Sequence, residues 1–285
     1  MAPDIGNFLG AGILTDINFL ARVSAGQIPG YSAVHKFARR TGININETHT
    51  VWDFLARDDY TYSATANIDS ISSSAAGDSG VIEIQGQTLD HVEVLQEVIL
   101  NGRTAETLTT PLHRVYRMRQ VAGAGSDGEI YLTINGAALT GGVPDLATDV
   151  RAYIGLNAAR SDATRASTFM GVYTIPALHT GFMTGIQSST TGAARSDVDV
   201  TVLQRLTGTA FFREVNVISA AAAGTSSTTQ NFPMPEVLPA GTDIEVIATS
   251  YGNSNAVDVT FNIVCINDAY LGVNAHQLGS GTVGS

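Results

Sequence analysis

The 285-residue chain contains one cysteine, one tryptophan and one lysine. A lone cysteine excludes an internal disulfide. Cys265 lies in AVDVTFNIVCI, on the same strand face as Val257, Val259, Phe261 and Ile263, which predicts a small buried hydrophobe. Charge is scarce: Asp, Glu, Lys and Arg make up 14% of the residues, against about 25% in an ordinary soluble protein. Much of the surface must therefore be built from Ser, Thr, Asn, Gly and Ala, which suits extended β-structure and subunit contact. The net charge of −11 argues against a general nucleic-acid binder, because neutralising phosphates needs a basic surface. No run approaches the ~18 consecutive apolar residues of a membrane-spanning helix. The first residues lack a basic region followed by an apolar stretch, so no secretory signal is expected. The six histidines never occur as H-x-x-x-H, and C-x-x-C is absent, so neither a metal nor a cofactor is predicted.

The sparse charge is unevenly spread. Residues 1–45 carry Arg22, Lys36, Arg39 and Arg40 against Asp4 and Asp16, a surplus of two positive charges, which leaves −13 for the rest. Within this basic segment, Ile13, Leu14, Ile17, Leu20 and Ala21 form the stripe of a short amphipathic helix, with Gly26 as its stop. QIPGYSAVHKFARRTGININETHT then shows no sustained period and reads as an extended arm. Residues 1–50 are expected to dock on a neighbouring subunit or shell, through Ile13, Leu14, Ile17, Leu20, Lys36, Phe37, Arg39 and Arg40.

From Val51 the period becomes two. GVIEIQG alternates Ile82 and Ile84 with Glu83 and Gln85. HVEVLQEVIL places Val92, Val94, Val98 and Leu100 on one face with Gln96 as the exception. DVDVTVLQRL and TDIEVIATS repeat the scheme through Val198, Val200, Val202 and Ile244, Val246, Ala248. Asn101-Gly102, Asp127-Gly128, Asn135-Gly136 and Pro239-Ala-Gly241 punctuate the runs as turns. The fold class is therefore all-β: two β-sandwich, jelly-roll-like modules behind the arm and its one short helix. The polar stretch NAARSDATRAS marks the seam, giving an arm at 1–50, sandwiches at 51–158 and 159–271, and a Gly/Ser-rich flexible tail at 272–285.

Two motifs invite an enzymatic reading and fail on context. Gly77-Asp78-Ser79-Gly80 spells the nucleophile loop of trypsin-like proteases, but only 78 residues precede Ser79, and the chymotrypsin order needs its histidine, aspartate and most of a double barrel there. GAGSDG, from Gly123 to Gly128, fits the dinucleotide pattern, yet EIYLTI follows as a strand where a helix is required. No catalytic residue is expected, and the chain reads as no enzyme. Asp58-Asp59 is expected to be solvated loop carboxylate rather than a calcium site. Trp52 is expected as a core anchor; with Phe54, Tyr60 and Tyr62 it forms an aromatic group that would alternatively line a carbohydrate-binding surface. In FFREV, adjacent Phe211 and Phe212 put one ring on each strand face, so one must be exposed or covered by another body. Tyr60, Tyr62 and Phe211 are the candidate exposed aromatic contacts.

GQIPGYSAVHKFARRTG leading into VWDF and YTYSATANIDSISSS, the strand–turn–strand GVIEIQGQTLDHVEVLQEVILNGRTAETL, and the closing PEVLPAGTDIEVIATSYGNSNAVDVTFNIVCIND together resemble virion structural proteins of tailed, largely marine bacteriophages. Asn-Gly and Pro-Ala-Gly turns are common, so the order of the three stretches carries the likeness. The resemblance implies a component of the phage particle, assembled in the host cytoplasm and present in many copies, of the capsid decoration or cement type. It implies as partners other copies of the chain, trimers among them, and the major capsid protein or another virion protein, with no nucleic acid and no membrane. A tail, fibre or baseplate component binding host-surface carbohydrate is the alternative.

Overall fold

The computed structural model describes residues 17–123, 125–156 and 166–271. A short helix, α1 (Ile17–Ser24), precedes a long strand, β1 (Tyr31–Ile43), and a short one, β2 (Thr48–Thr50). The chain then builds a first sandwich. One sheet has the order β11-β8-β3-β6, from β3 (Ile68–Ser73), β6 (Glu106–Leu112), β8 (Ile130–Ile134) and β11 (Val150–Ile154). The other has the order β5-β4-β7, from β4 (Val81–Gln87), β5 (Glu93–Ile99) and β7 (Arg114–Ala122). A small hairpin, β9 (Leu139–Thr140) with β10 (Val143–Pro144), occupies the loop before β11.

The period-two reading holds in these strands for a physical reason. Ile82 and Ile84 of β4 are fully buried, and they meet Ile68, Ile71, Leu112, Met118, Ile130 and Leu132 in one core. Each such side chain contributes about 1.5–3 kcal/mol when removed from water. Val94 and Val98 of β5 pack on the same core. The exception, Gln96, pairs across from Ile84 on this inner face. Its amide donates to the Thr110 carbonyl at 2.9 Å and accepts from the Thr110 N–H at 3.0 Å, imitating a strand neighbour where β5 meets β6. Val92, expected inside, is exposed because the chain turns at Thr88–His91 and β5 starts only at Glu93.

The second sandwich has β12 (Val172–Thr174), β13 (His179–Arg205), β14 (Arg213–Leu238), β15 (Asp243–Ser250) and β16 (Asn255–Asn267). Its seven-stranded sheet runs β1-β16-β13-β15-β12, with β14 on β13 and β2 on β15. β13 pairs with β14 along nearly all its length; its other edge pairs with β16 through His179–Thr191 and with β15 through Val198–Arg205. The β13–β14 ribbon doubles back on itself. Arg213 and Glu236, at opposite ends of β14, come within 4.0 Å, whereas a straight strand of that length would hold them roughly 75 Å apart. Val198, Val200 and Val202 from one half therefore share a core with Met183 and Ile186 from the other, and with Phe261 and Ile263 of β16. Cys265 is buried there, as expected, and burial pushes its thiol up to about 12.

The arm is corrected by this topology. Residues 31–43 are an edge strand of the chain's own seven-stranded sheet, whose register against β16 runs from Tyr31↔Ile266 to Ile43↔Asn255. Its alternation was hidden because the inward positions Lys36 and Arg40 are charged. Residues 31–51 thus belong to the second sandwich, and the first is inserted between β2 and β12, so the division into 51–158 and 159–271 does not match the order in which the strands are used. The expected seam at 157–165 and tail at 272–285 lie outside the described residues.

Candidate assembly surface

β1 determines where most of the expected docking residues go. Successive side chains alternate faces. Lys36 and Arg40 turn inward, and Phe37 and Arg39 turn outward. The Lys36 ammonium donates to the Tyr116 carbonyl of β7, and burial, then the Arg117 charge, lowers it to about 7. Arg40 donates to the carbonyls of Phe54 at 3.2 Å and Arg57 at 2.6 Å and pairs with Asp58 at 3.2 Å. These two cations hold β1 to the first sandwich and are not presented to a shell. Phe37 lies edge-on to Phe169 at 5.1 Å, under the Arg117 guanidinium at 5.6 Å. Arg39 remains at the surface beside Asp258. Leu20 of α1 packs with Phe19 against Tyr31, Val264 and Ile266 of its own chain. Ile17 opens α1, while Ile13 and Leu14 lie outside the described residues.

The expected exposed aromatics divide. Trp52 and Tyr60 are core residues, with Tyr60 7% exposed. Tyr62 is half-buried between the sandwiches: its hydroxyl donates to the Ile244 carbonyl at 3.2 Å, and the guanidiniums of Arg114 and Arg205 sit 5.2 and 4.6 Å from its ring. Phe212 joins it at 5.5 Å, whereas Phe211 is 68% exposed. Both phenylalanines lie in the connection between β13 and β14 rather than on a strand. An aromatic surface at Tyr60 and Tyr62 is therefore excluded by burial.

Tyr62 belongs to a charged seam that sequence reasoning missed. The Asp243 carboxylate accepts from Arg114 Nε at 2.8 Å and Nη2 at 3.1 Å, from Arg205 Nη2 at 2.6 Å and from the Thr174 hydroxyl at 2.6 Å. Burial by itself would raise this carboxyl; the hydrogen bonds and charge of Arg114, with Thr174 and Arg205, outweigh it and hold it below its ordinary value. Beside it, Thr50 donates to Glu245 at 2.5 Å, and burial raises Glu245 to about 7. His91 and His113, 22 residues apart in sequence, come to 5.5 Å at the same seam; burial and then Arg114 lower both, His113 to about 4. Arg114, Arg205 and Asp243 are too widely separated in sequence for spacing to bring them together.

The two enzyme-like motifs meet each other. The buried Asp78 carboxylate accepts from the Asp127 N–H at 2.8 Å and the Gly128 N–H at 3.1 Å, and from Ser73 at 2.5 Å. The aspartate thus fastens the two loops together, and Ser79 points to solvent. Each described histidine has other company: His35 bonds Asn262, His49 bonds Glu47, and His179 bonds the Ala177 carbonyl. Asp58 is the solvated loop carboxylate expected, its side chain 71% exposed, and it also pairs with Arg40 and His49.

The outer face of the β5-β4-β7 sheet mixes exposed apolar side chains with charged ones. Leu95 and Ile99 of β5 alternate with core-facing Val94 and Val98, so they share the outer face of the β5-β4-β7 sheet, 66% and 65% exposed. Val121 of β7 is 41% exposed. The Glu83–Arg119 pair, at 2.6 and 2.9 Å, lies on the same face. A cleft of about 360 Å³ separates this face from β1, lined by His35, Lys36, Glu93, Leu95, Tyr116 and Arg117. Elsewhere Met234 is 85% exposed where β14 bulges away from β13.

No protein-family model matches the chain, and no curated protein does. Three solved chains show a remote likeness. One, from an empty virus-like particle of cowpea mosaic virus, is 10% identical, with 70% of this chain and 79% of that one covered and a TM-score of 0.22. One, from T=1 particles derived from infectious bursal virus, is 12% identical, covering 85% and 71%, with a TM-score of 0.26. One, from a subviral particle of infectious bursal disease virus, is 11% identical, covering 84% and 73%, with a TM-score of 0.22. At such scores the backbones diverge over most of their length, and no property of those particles passes to this chain.

Proposed function

We propose that this chain is a structural component of a bacteriophage virion, a decoration or cement protein carried in many copies on the capsid shell. The observation that carries the reading is the outer face of the β5-β4-β7 sheet. Leu95 and Ile99 flank Glu97 there, each about two-thirds exposed in the isolated chain, and large apolar side chains left in solvent among charged ones mark a surface that a neighbour covers. The low charge content of 14% agrees with a surface built for contact, and the ordered likeness to phage virion proteins supplies the setting. Docking in this reading uses the sheet face, because Lys36 and Arg40 are engaged within the chain. Carbohydrate binding through Tyr60 and Tyr62 loses its support with their burial. Imaging of particles carrying a tagged copy of the full chain tests the proposal. Tags at fixed sites over the shell are expected; tags on the tail would overturn the decoration role, and untagged particles would overturn the virion role.

A further inference from the structure

A cleft of about 530 Å³ lies between the Phe54 segment, the β8 strand and the β10–β11 region. Its lining is lopsided. The walls include Leu55, Val143 and Leu156, which are 55%, 37% and 47% exposed. Inside are the rings of Phe54, Tyr131 and Tyr153, mutually 5.0 to 6.3 Å apart. The Glu129 carboxylate accepts from both phenols, from Tyr131 at 2.5 Å and from Tyr153. Each hydroxyl proton is thereby directed at Glu129, so the phenol oxygens offer lone pairs. Asp53 and Asp145 complete the polar lining, and among the described residues no lysine, arginine or histidine contributes to it.

An apolar entrance leading to acceptors alone selects a guest with an apolar stem and a donor-rich, positively charged head. Arginine fits better than lysine, because its planar group stacks on a tyrosine ring while bonding a carboxylate through two N–H groups. We propose that this cleft receives an arginine side chain presented by a partner protein, its stem crossing Leu55 and Leu156 and its guanidinium settling on Glu129 against Tyr153. Charge complementarity favours a partner over a second copy: the chain carries −11 overall, and two copies brought together repel. That the partner is another virion protein rests on the structural role proposed above; the selectivity of the cleft does not.

Trp52, the single tryptophan, lies 5.2 Å behind Phe54 and supplies a local probe. The test is titration of the full chain with acetyl-Gly-Arg-Gly-amide, followed through the Trp52 indole NMR signal. The expected result is a saturable shift, weaker with the lysine peptide and at least about tenfold weaker with the uncharged citrulline peptide. Glu129→Gln is expected to weaken binding about tenfold, and Asp145→Asn, at an exposed position, about threefold. If Glu129→Gln fails to fold, Asp145→Asn and the citrulline peptide still decide. No saturable shift with the arginine peptide, or equal binding of the citrulline peptide, would overturn the proposal. Particle imaging tests the virion role separately, so the two can fail independently.

Discussion

Replacing Asp243 by Asn changes one oxygen for nitrogen at nearly constant volume and removes the charge that two arginines share. Three donating side chains converge on this carboxylate, and its side chain is 5% exposed, as against 9% for Arg114 and 21% for Arg205. Breaking a buried pair leaves an uncompensated charge and costs about 3–5 kcal/mol. Arg205 reaches water and recovers part of the loss; Arg114 keeps its bond to the Ser63 carbonyl at 2.7 Å but loses its counter-charge. The expected cost is therefore about 3 kcal/mol, which for a chain of this size lowers Tm by roughly 6–12 °C. Because the carboxyl is held below 3.8 in the fold, its contribution is present above that pH and lost as pH falls through the lower folded value. Urea denaturation at pH 7 and at pH 3, followed by far-ultraviolet circular dichroism, reads both effects. The difference between wild type and variant should be near 3 kcal/mol at pH 7 and should shrink in acid. A difference below about 1 kcal/mol at pH 7, or one independent of pH, would refute the argument that this charge holds the sandwiches together.

Two further predictions use neighbouring groups. Glu245 is raised to about 7 by burial, so its neutral form suits the fold, and stability falls as pH rises from its ordinary value through the folded one. Glu245→Gln should match wild type near pH 4 and exceed it by about 2–3 kcal/mol at pH 8 in the same denaturation assay; equal stabilities at pH 8 would contradict this. Lys36, the only lysine, is 7% exposed, so an amine-acylating reagent should modify it only after unfolding. Mass spectrometry showing rapid native-state modification at Lys36 would mean that β1 is free of the body after all.

The parts of this fold that were readable are those in which alternation and burial coincide. Val198, Val200 and Val202, Ile244 and Val246, and Val257 to Cys265 all face the core as their period demands. β1 was unreadable because charge at Lys36 and Arg40 signals solvent, and the groups that accept those charges, such as the Tyr116 carbonyl 80 residues away, leave no local trace. The middle of β14, ISAAAAGTSSTTQ, is too small and polar to show an apolar period, so its pairing with β13 emerges only in the sheet. The candidate surface was half visible. Phe211 stands out as an exposed aromatic, but Leu95 and Ile99 read as ordinary strand residues until the faces of β5 are assigned.

The most direct test of the central claim is incorporation of the Leu95→Asp, Ile99→Asp double variant into phage particles beside the wild-type chain. Both positions are solvent-facing, so the variant should fold, with an unchanged circular dichroism spectrum. If this sheet face docks on the shell, the copy number per particle should fall at least about tenfold, because two apolar anchors are replaced by charge. Incorporation of the folded variant at the wild-type copy number would contradict the claim.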